Sequence, residues 1–199
     1  MKINVIIPTY KPDEKFERNL RMLRRQTLQP DRILIINTEE SLFHSKEFGK
    51  LPQGEIVHIK KSEFDHGGTR NRAAAMCDGD IIVLLTQDAI PADEYLLENL
   101  TKPFEDPEVC AAYGRQMADW KDNPVEAYTR SFNYPKESRI KSKEDLPVLG
   151  IKTFFCSNVC AAYRKSVYDD MGGFPLHTIF NEDMIFASRL IEAGKKIAY

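Results

Sequence analysis

The sequence predicts an α/β protein, a mostly parallel sheet with helices on both faces, and three observations carry that expectation. Short apolar, β-branched runs alternate with helical patterns through residues 1–115. The runs Ile3–Ile7 and Asp80–Leu85 are nearly continuous in apolar side chains, as strands covered on both faces are. Turn-forming Gly, Pro and Asp residues separate the segments.

Taken in order, Ile3–Ile7 is the first strand, and Pro8-Thr9-Tyr10-Lys11-Pro12 is expected to break it. Phe16, Leu20 and Leu23 recur at helical spacing with Arg18, Arg21, Arg24 and Arg25 between them, an amphipathic helix that stops before Pro30. Arg32–Ile36 and Ile56–Ile59 read as the second and third strands. Gly67-Gly68 opens a short Ala-rich helix to Met76, and Asp78-Gly79 turns the chain into Asp80–Leu85. Tyr95, Leu96 and Leu100 mark another helix, and Val109–Tyr113 another strand. Residues 115–152 change character: Trp120, Asn123-Pro124, Tyr134-Pro135 and the mixed charges of Lys136–Asp145 predict a mobile loop between short helices. Apolar order returns at Phe154-Phe155 and Asn158–Tyr163, and a short helix ends at Gly172-Gly173, where positive φ is easily adopted. The last helix begins near Asn181, carries Met184, Ala187, Leu190 and Ile191 on one face, and closes at Gly194.

Composition narrows the function. The 199 residues carry 28 Lys and Arg against 30 Asp and Glu, too balanced for a dedicated nucleic-acid binder. No apolar run approaches the roughly 18 residues of a membrane span, and the N-terminus lacks the apolar core of a secretory signal. Cys77, Cys110, Cys156 and Cys160 form no CxxC pair, and each sits among small or apolar residues, as buried thiols do. A reducing, cytoplasmic setting is the natural expectation.

In a parallel sheet, ligands bind beyond the carboxyl ends of the strands. The residues there are Pro8-Thr9-Tyr10, Asn37-Thr38-Glu39, Asp65-His66-Gly67 and Thr86-Gln87-Asp88. Asp88 follows the apolar run and precedes Pro91, so its carboxylate is placed to hold Mg2+ or Mn2+ with substrate phosphates, or merely to cap its own loop. Glu182-Asp183 open a helix, where its dipole favours acids, and where a fixed carboxylate can also accept a proton from a bound hydroxyl. Asp65-His66-Gly67-Gly68-Thr69-Arg70-Asn71 places an acid, an imidazole and a guanidinium around two glycines at a helix start, a setting that suits phosphate. The block is neither a Walker A loop nor a GxGxxG fingerprint, and no GxSxG or HExxH supports a hydrolase.

IPTYKP after the first strand, GGTRN before the Ala-rich helix, LLTQDAIP, GGFP and NEDM followed by RLIEAGKKIAY together resemble the family 2 glycosyltransferases of the GT-A fold, a Rossmann-like α/β/α sandwich. DHGGTRN is most similar to the bacterial rhamnosyltransferase-type branch. The resemblance implies one domain over 1–199, with a nucleotide-sugar-binding part at 1–115 and an acceptor-side part at 116–199. It also implies inverting, divalent-cation-assisted transfer from a nucleotide-diphosphate sugar, with dTDP-rhamnose the donor of that branch, to a saccharide or lipid-linked acceptor hydroxyl of a cell-surface polysaccharide. Pro8, Thr9 and Tyr10 match the nucleobase block. Glu39 stands where an acid meets base or ribose, and Asp65, His66, Gly67, Arg70 and Asn71 match the block that approaches the nucleoside. Thr86-Gln87-Asp88 replaces a DxD motif and keeps only its last acid, so Asp88 is the expected metal ligand beside Gln87. Glu182-Asp183 match the ED motif, whose Asp is usually the base. Family members usually continue past the point matching Tyr199, often with a metal-completing His and membrane-associating segments, so a truncated core and peripheral membrane contact are expectations too. The Arg-rich stretch Lys11–Arg25 offers a charged face for an anionic membrane, or simply for solvent. A nucleotide-sugar-binding domain without turnover is the competing function, and a metal phosphoesterase would want clustered His and Asp ligands that the sequence lacks.

Overall fold

The computed structural model describes residues 1–117 and 123–199, so Trp120 lies outside the described residues. Its strands are β1 (Ile3–Tyr10), β2 (Arg32–Thr38), β3 (Gly54–Ile59), β4 (Ile81–Leu85), β5 (Val109–Tyr113), β6 (Ile140–Lys141), β7 (Cys160–Arg164) and β8 (Lys196–Ala198). The helices are α1 (Glu14–Leu23), α2 (His66–Ala75), α3 (Leu96–Thr101), α4 (Pro124–Asn133), α5 (Leu146–Leu149), α6 (Lys165–Asp170) and α7 (Glu182–Glu192). The strands form one sheet in the order β3-β2-β1-β4-β7-β5-β8-β6, in which only β7 and β6 run against the rest.

Period-two alternation divides the core between the two faces of this sheet. Ile6, Leu34, Ile36, Ile82 and Leu84 turn toward Ala73 and Ala74 of α2 and toward Phe186, Ala187 and Leu190 of α7. Val5, Ile7, Ile33, Ile35 and Val83 turn the other way, onto Phe16, Leu20 and Leu23 of α1 and Leu97 of α3. Each such Leu, Ile or Phe contributes about 1.5–3 kcal/mol on leaving water. All four cysteines are buried free thiols, as their apolar settings predict.

Several boundaries differ from expectation. Pro8 does not end the first strand, because pairing with β4 stops at Ile6↔Leu84 while pairing with β2 runs on from Pro8↔Ile36 to Tyr10↔Thr38. A proline beyond the last rung of one neighbour removes no ladder bond on that side. Asn37 and Thr38 likewise do not follow the second strand but form the buried end of β2. In α7, Phe186 takes the core position expected of Met184, which is only half-buried. The stretch expected as a loop between short helices holds the ten-residue helix α4 and the strand β6, paired antiparallel to β8.

This topology sets where a ligand can go. From β1 the chain passes outward to β2 and β3, then returns to place β4 on the other side of β1. The crevice at such a reversal, beyond the carboxyl ends of β1 and β4, is where open α/β sheets bind ligands.

Candidate active site

Two hydrogen-bonded clusters occupy that rim. In the first, the Gln87 side chain clasps the backbone of Tyr10: its Oε1 accepts from Tyr10 N at 2.9 Å, and its Nε2 donates to Tyr10 O at 3.3 Å. The ends of β1 and β4 are thus locked just past their last paired rung. Thr9 Oγ1 donates to Asn37 Oδ1 at 3.1 Å, and Asn37 Nδ2 donates to Glu39 O and to His58 Nδ1, each at 3.0 Å. This satisfies a fully buried amide, which would otherwise cost about 1–3 kcal/mol. Glu39 is held at φ 66°, an uncommon conformation for a non-glycine residue, and its carboxylate accepts from Lys61 N at 2.6 Å. Asp88 is exposed. Its Oδ1 accepts from Thr86 Oγ1 at 2.7 Å, and its Oδ2 has no hydrogen-bond partner among the described residues.

The second cluster joins α2 to α7. Asp65 caps α2 through Gly68 N at 2.5 Å, while its other oxygen accepts from His177 N at 3.0 Å. Asn71 donates to Phe174 O and accepts from Phe174 N, both at 2.9 Å, and takes the Tyr168 hydroxyl as well. The amide of Asn71 is therefore committed to the 168–174 segment. His66 is exposed, its ring edge-on to Phe64 at 5.1 Å, and its carbonyl accepts from Arg70 Nη1 at 2.8 Å. Arg70, 7% exposed, pairs with Glu182, 6% exposed, at 3.3 Å. The neighbouring acid differs: Asp183 is half-buried and lines a cavity of about 350 Å³ with Gln116, Arg130, Asn133, Tyr134 and Ser157. Burial pushes the Asp183 carboxyl above the usual carboxylate range, and the Glu182 charge adds to this. The backbone N–H groups of Asn158 and Met184, with the Arg70 charge, pull it back.

The clusters meet across the antiparallel pair β4–β7. Leu85 faces Cys160, Thr86 N donates to Val159 O at 3.1 Å, and one residue earlier Asn158 N donates to Asp183 Oδ2 at 2.9 Å. Asn158 was not legible as a site residue; a polar side chain just before an apolar strand is its sole signal. Gln116, which donates to Tyr134 Oη at 2.5 Å and Ser157 Oγ at 3.0 Å, likewise has no motif around it.

Among the described residues no three His, Cys, Asp or Glu side chains are grouped so as to hold a metal ion. The donor set fits a cation of the Mg2+ type nonetheless, since such ions commonly take one or two carboxylates and complete their shell with phosphates and water. Asp88, with an unpartnered oxygen beyond the end of β4, is the carboxylate that would hold it.

A buried polar network thus ties the carboxyl-end rim to a cavity that bears an acid. This chain belongs to glycosyl transferase family 2, whose profile matches residues 4–172. It is 44% identical over 200 residues, all of this chain, to the O-antigen chain rhamnosyltransferase RfbN of Salmonella typhimurium. It is also 44% identical over 197 residues to the O-antigen chain rhamnosyltransferase WbaN of Salmonella anatum. The chain spans 64% and 62% of those two proteins. The fold is GT-A: it superposes with TM-score 0.70 on the mannosyltransferase PcManGT from Pyrobaculum calidifontis in complex with GDP-Man and Mn2+. That match has 20% identity and covers 98% of this chain and 53% of that one. The TM-score is 0.73 against S. aureus TarS 1-349 in complex with UDP-GlcNAc, at 16% identity, over all of this chain and 55% of that one. Among the described residues no helix is long and apolar enough to cross a membrane.

Proposed function

We propose that this chain is the donor-binding and base-bearing part of an inverting rhamnosyltransferase. It takes rhamnose from dTDP-rhamnose to a saccharide hydroxyl in cell-surface polysaccharide assembly. The observation that carries this reading is Asp183: an acid at a fixed helix start, open to a polar cavity, across one strand pair from the exposed acid Asp88. The names of the two Salmonella relatives support the sugar and the polymer.

The acceptor oxygen forms a bond to the anomeric carbon as the bond from that carbon to the diphosphate oxygen breaks, so the sugar inverts. The hydroxyl proton passes to Asp183, whose carboxyl, raised by burial, is a better base than a solvated aspartate. Each of its oxygens already accepts one backbone N–H, from Asn158 or Met184, and each retains a lone pair for the substrate. Asp88 would hold the divalent cation, which when bound neutralises charge developing on the leaving diphosphate. Gln87, by clasping Tyr10, fixes the β1 end against which the nucleobase would lie. Glu182 is too buried and too well paired to take the proton, and its place is to anchor α7 to Arg70.

The test combines calorimetry with a transfer assay using dTDP-rhamnose and Mn2+. Asp88→Asn should abolish metal-dependent nucleotide binding, whereas Asp183→Asn should keep binding and lose transfer. Normal turnover by Asp183→Asn would sink the base assignment. A binding domain without turnover is the second reading, favoured by the replacement of the first acid of the DxD motif by Thr86. Slow Mn2+-dependent hydrolysis of dTDP-rhamnose by the unmodified chain excludes it.

A further inference from the structure

Asn158 touches both acids of α7 in different ways. Its backbone N–H donates to Asp183 Oδ2 at 2.9 Å, and its side-chain Nδ2 donates to Glu182 Oε1 at 3.1 Å. Its Oδ1 accepts from the hydroxyl of Tyr163 at 2.9 Å. Only one amide orientation suits this: turned over, Oδ1 would confront the Glu182 carboxylate. Tyr163 is fully buried, with Cys156 Sγ 3.4 Å from its hydroxyl, so the anchor itself has nowhere to move. A chain of contacts therefore runs from Cys156 through Tyr163 and Asn158 to Glu182 and on to Arg70 of α2.

We propose that Asn158 is a positioning residue for the transfer: its pinned amide holds its own backbone N–H on Asp183, fixing where that carboxylate sits and how readily it takes a proton. This rests on the reading of Asp183 as the base. The charged groups facing Asp183 are Glu182 from its own helix, Arg70 from α2, and Arg130 across the cavity from α4. The neutral titratable groups around it are Cys156, Tyr134 and Tyr163, and burial pushes all three upward, Cys156 to about 12. They stay uncharged near neutrality, which leaves Glu182, Arg70, Arg130 and the N–H groups of Asn158 and Met184 to set the behaviour of the carboxylate.

Two variants separate positioning from mere packing. Asn158→Asp keeps the shape and puts a negative charge beside the α7 acids; Tyr163→Phe keeps the ring and removes the hydroxyl that anchors Asn158. The readouts are a carbon NMR titration of the Asp183 carboxyl, assigned by its loss in Asp183→Asn, and the pH profile of Mn2+-dependent dTDP-rhamnose hydrolysis with water as acceptor. In Asn158→Asp the titration midpoint should rise by about one unit, and the acid limb of hydrolysis should move with it. Tyr163→Phe should move both the same way by less, and dTDP-rhamnose affinity should stay within about twofold in both variants. Because Asn158→Asp adds a charge that raises the midpoint by repulsion alone, Tyr163→Phe decides: a purely structural role would lower the amplitude there without moving midpoint or limb. That outcome in Tyr163→Phe overturns the positioning role and leaves the base assignment standing. A wild-type chain that gives no hydrolysis, or whose acid limb survives in Asp183→Asn, overturns the base assignment and this role together.

Discussion

Gly67 shows how single residues hold the two halves of the site together. A Cβ built there would lie 2.1 Å from the carbonyl oxygen of Pro175, so the start of α2 reaches the 174–177 segment only because glycine has no side chain. Gly67→Ala should push that segment away and loosen the contacts of Asp65 and Asn71 to it. The expected loss is about 1–3 kcal/mol in urea unfolding, with weaker donor binding. The Arg70–Glu182 pair makes a larger demand. Arg70→Met would leave Glu182 buried with only Asn158 to satisfy it, and breaking such a pair from one side costs about 3–5 kcal/mol. The double variant Arg70→Met, Glu182→Leu should recover most of that stability, which a double-mutant cycle in urea measures. Chemistry at Asp183 carries its own pH signature. A base must be ionised, so transfer should rise with pH through a midpoint above the ordinary aspartate value, and a midpoint at or below that value in the pH–rate profile would contradict the burial of the group.

At the scale of elements, helix α1 owes its start to Asp13, whose carboxylate accepts from Lys15 N and Phe16 N at 2.9 and 3.3 Å. Asp13→Ala should cost about 1 kcal/mol by thermal unfolding, the usual worth of an N-cap. The outer face of α1 is less available than its arginines suggest, since Arg21 pairs with Glu14 and Arg24 with Glu47. Elements whose signal lies within their own sequence were legible: the apolar runs of β1, β2 and β4, the Asp65 and glycine start of α2, and the acidic start of α7. Elements defined by distant partners were not. Nothing local marks Cys160–Arg164 as a strand running against both β4 and β5, or Ile140–Lys141 as the partner of β8. The same division holds in the site. Asp88 and Asp183 stand in recognisable motifs, whereas Asn158 matters through contacts 24 and 25 residues along the chain, which periodicity does not encode.

The whole molecule is drawn together at the β6 edge by Lys141, fully buried, whose Nζ donates to Lys152 O at 3.2 Å and Phe155 O at 2.5 Å. Burial lowers its pKa to about 8. With the folded value below the unfolded one, its contribution to stability is fully present above the ordinary lysine value and is lost as pH falls through about 8. The stability difference between the unmodified chain and Lys141→Met should therefore change between pH 7 and 10 in the direction that favours the lysine at higher pH. Urea midpoints across that range measure it, and a constant difference would contradict a buried, readily neutralised amine. The insertion of β7 between β4 and β5 has a consequence for synthesis. Strands β1 to β4 can assemble as the chain leaves the ribosome, but β4 then presents a bare edge of five buried-type apolar residues, and β5 has no neighbour at all until Cys160–Arg164 emerges. For nearly eighty residues of elongation, from Leu85 to Arg164, the nascent protein carries an adhesive seam, so chaperone demand should peak there and fall once β7 docks.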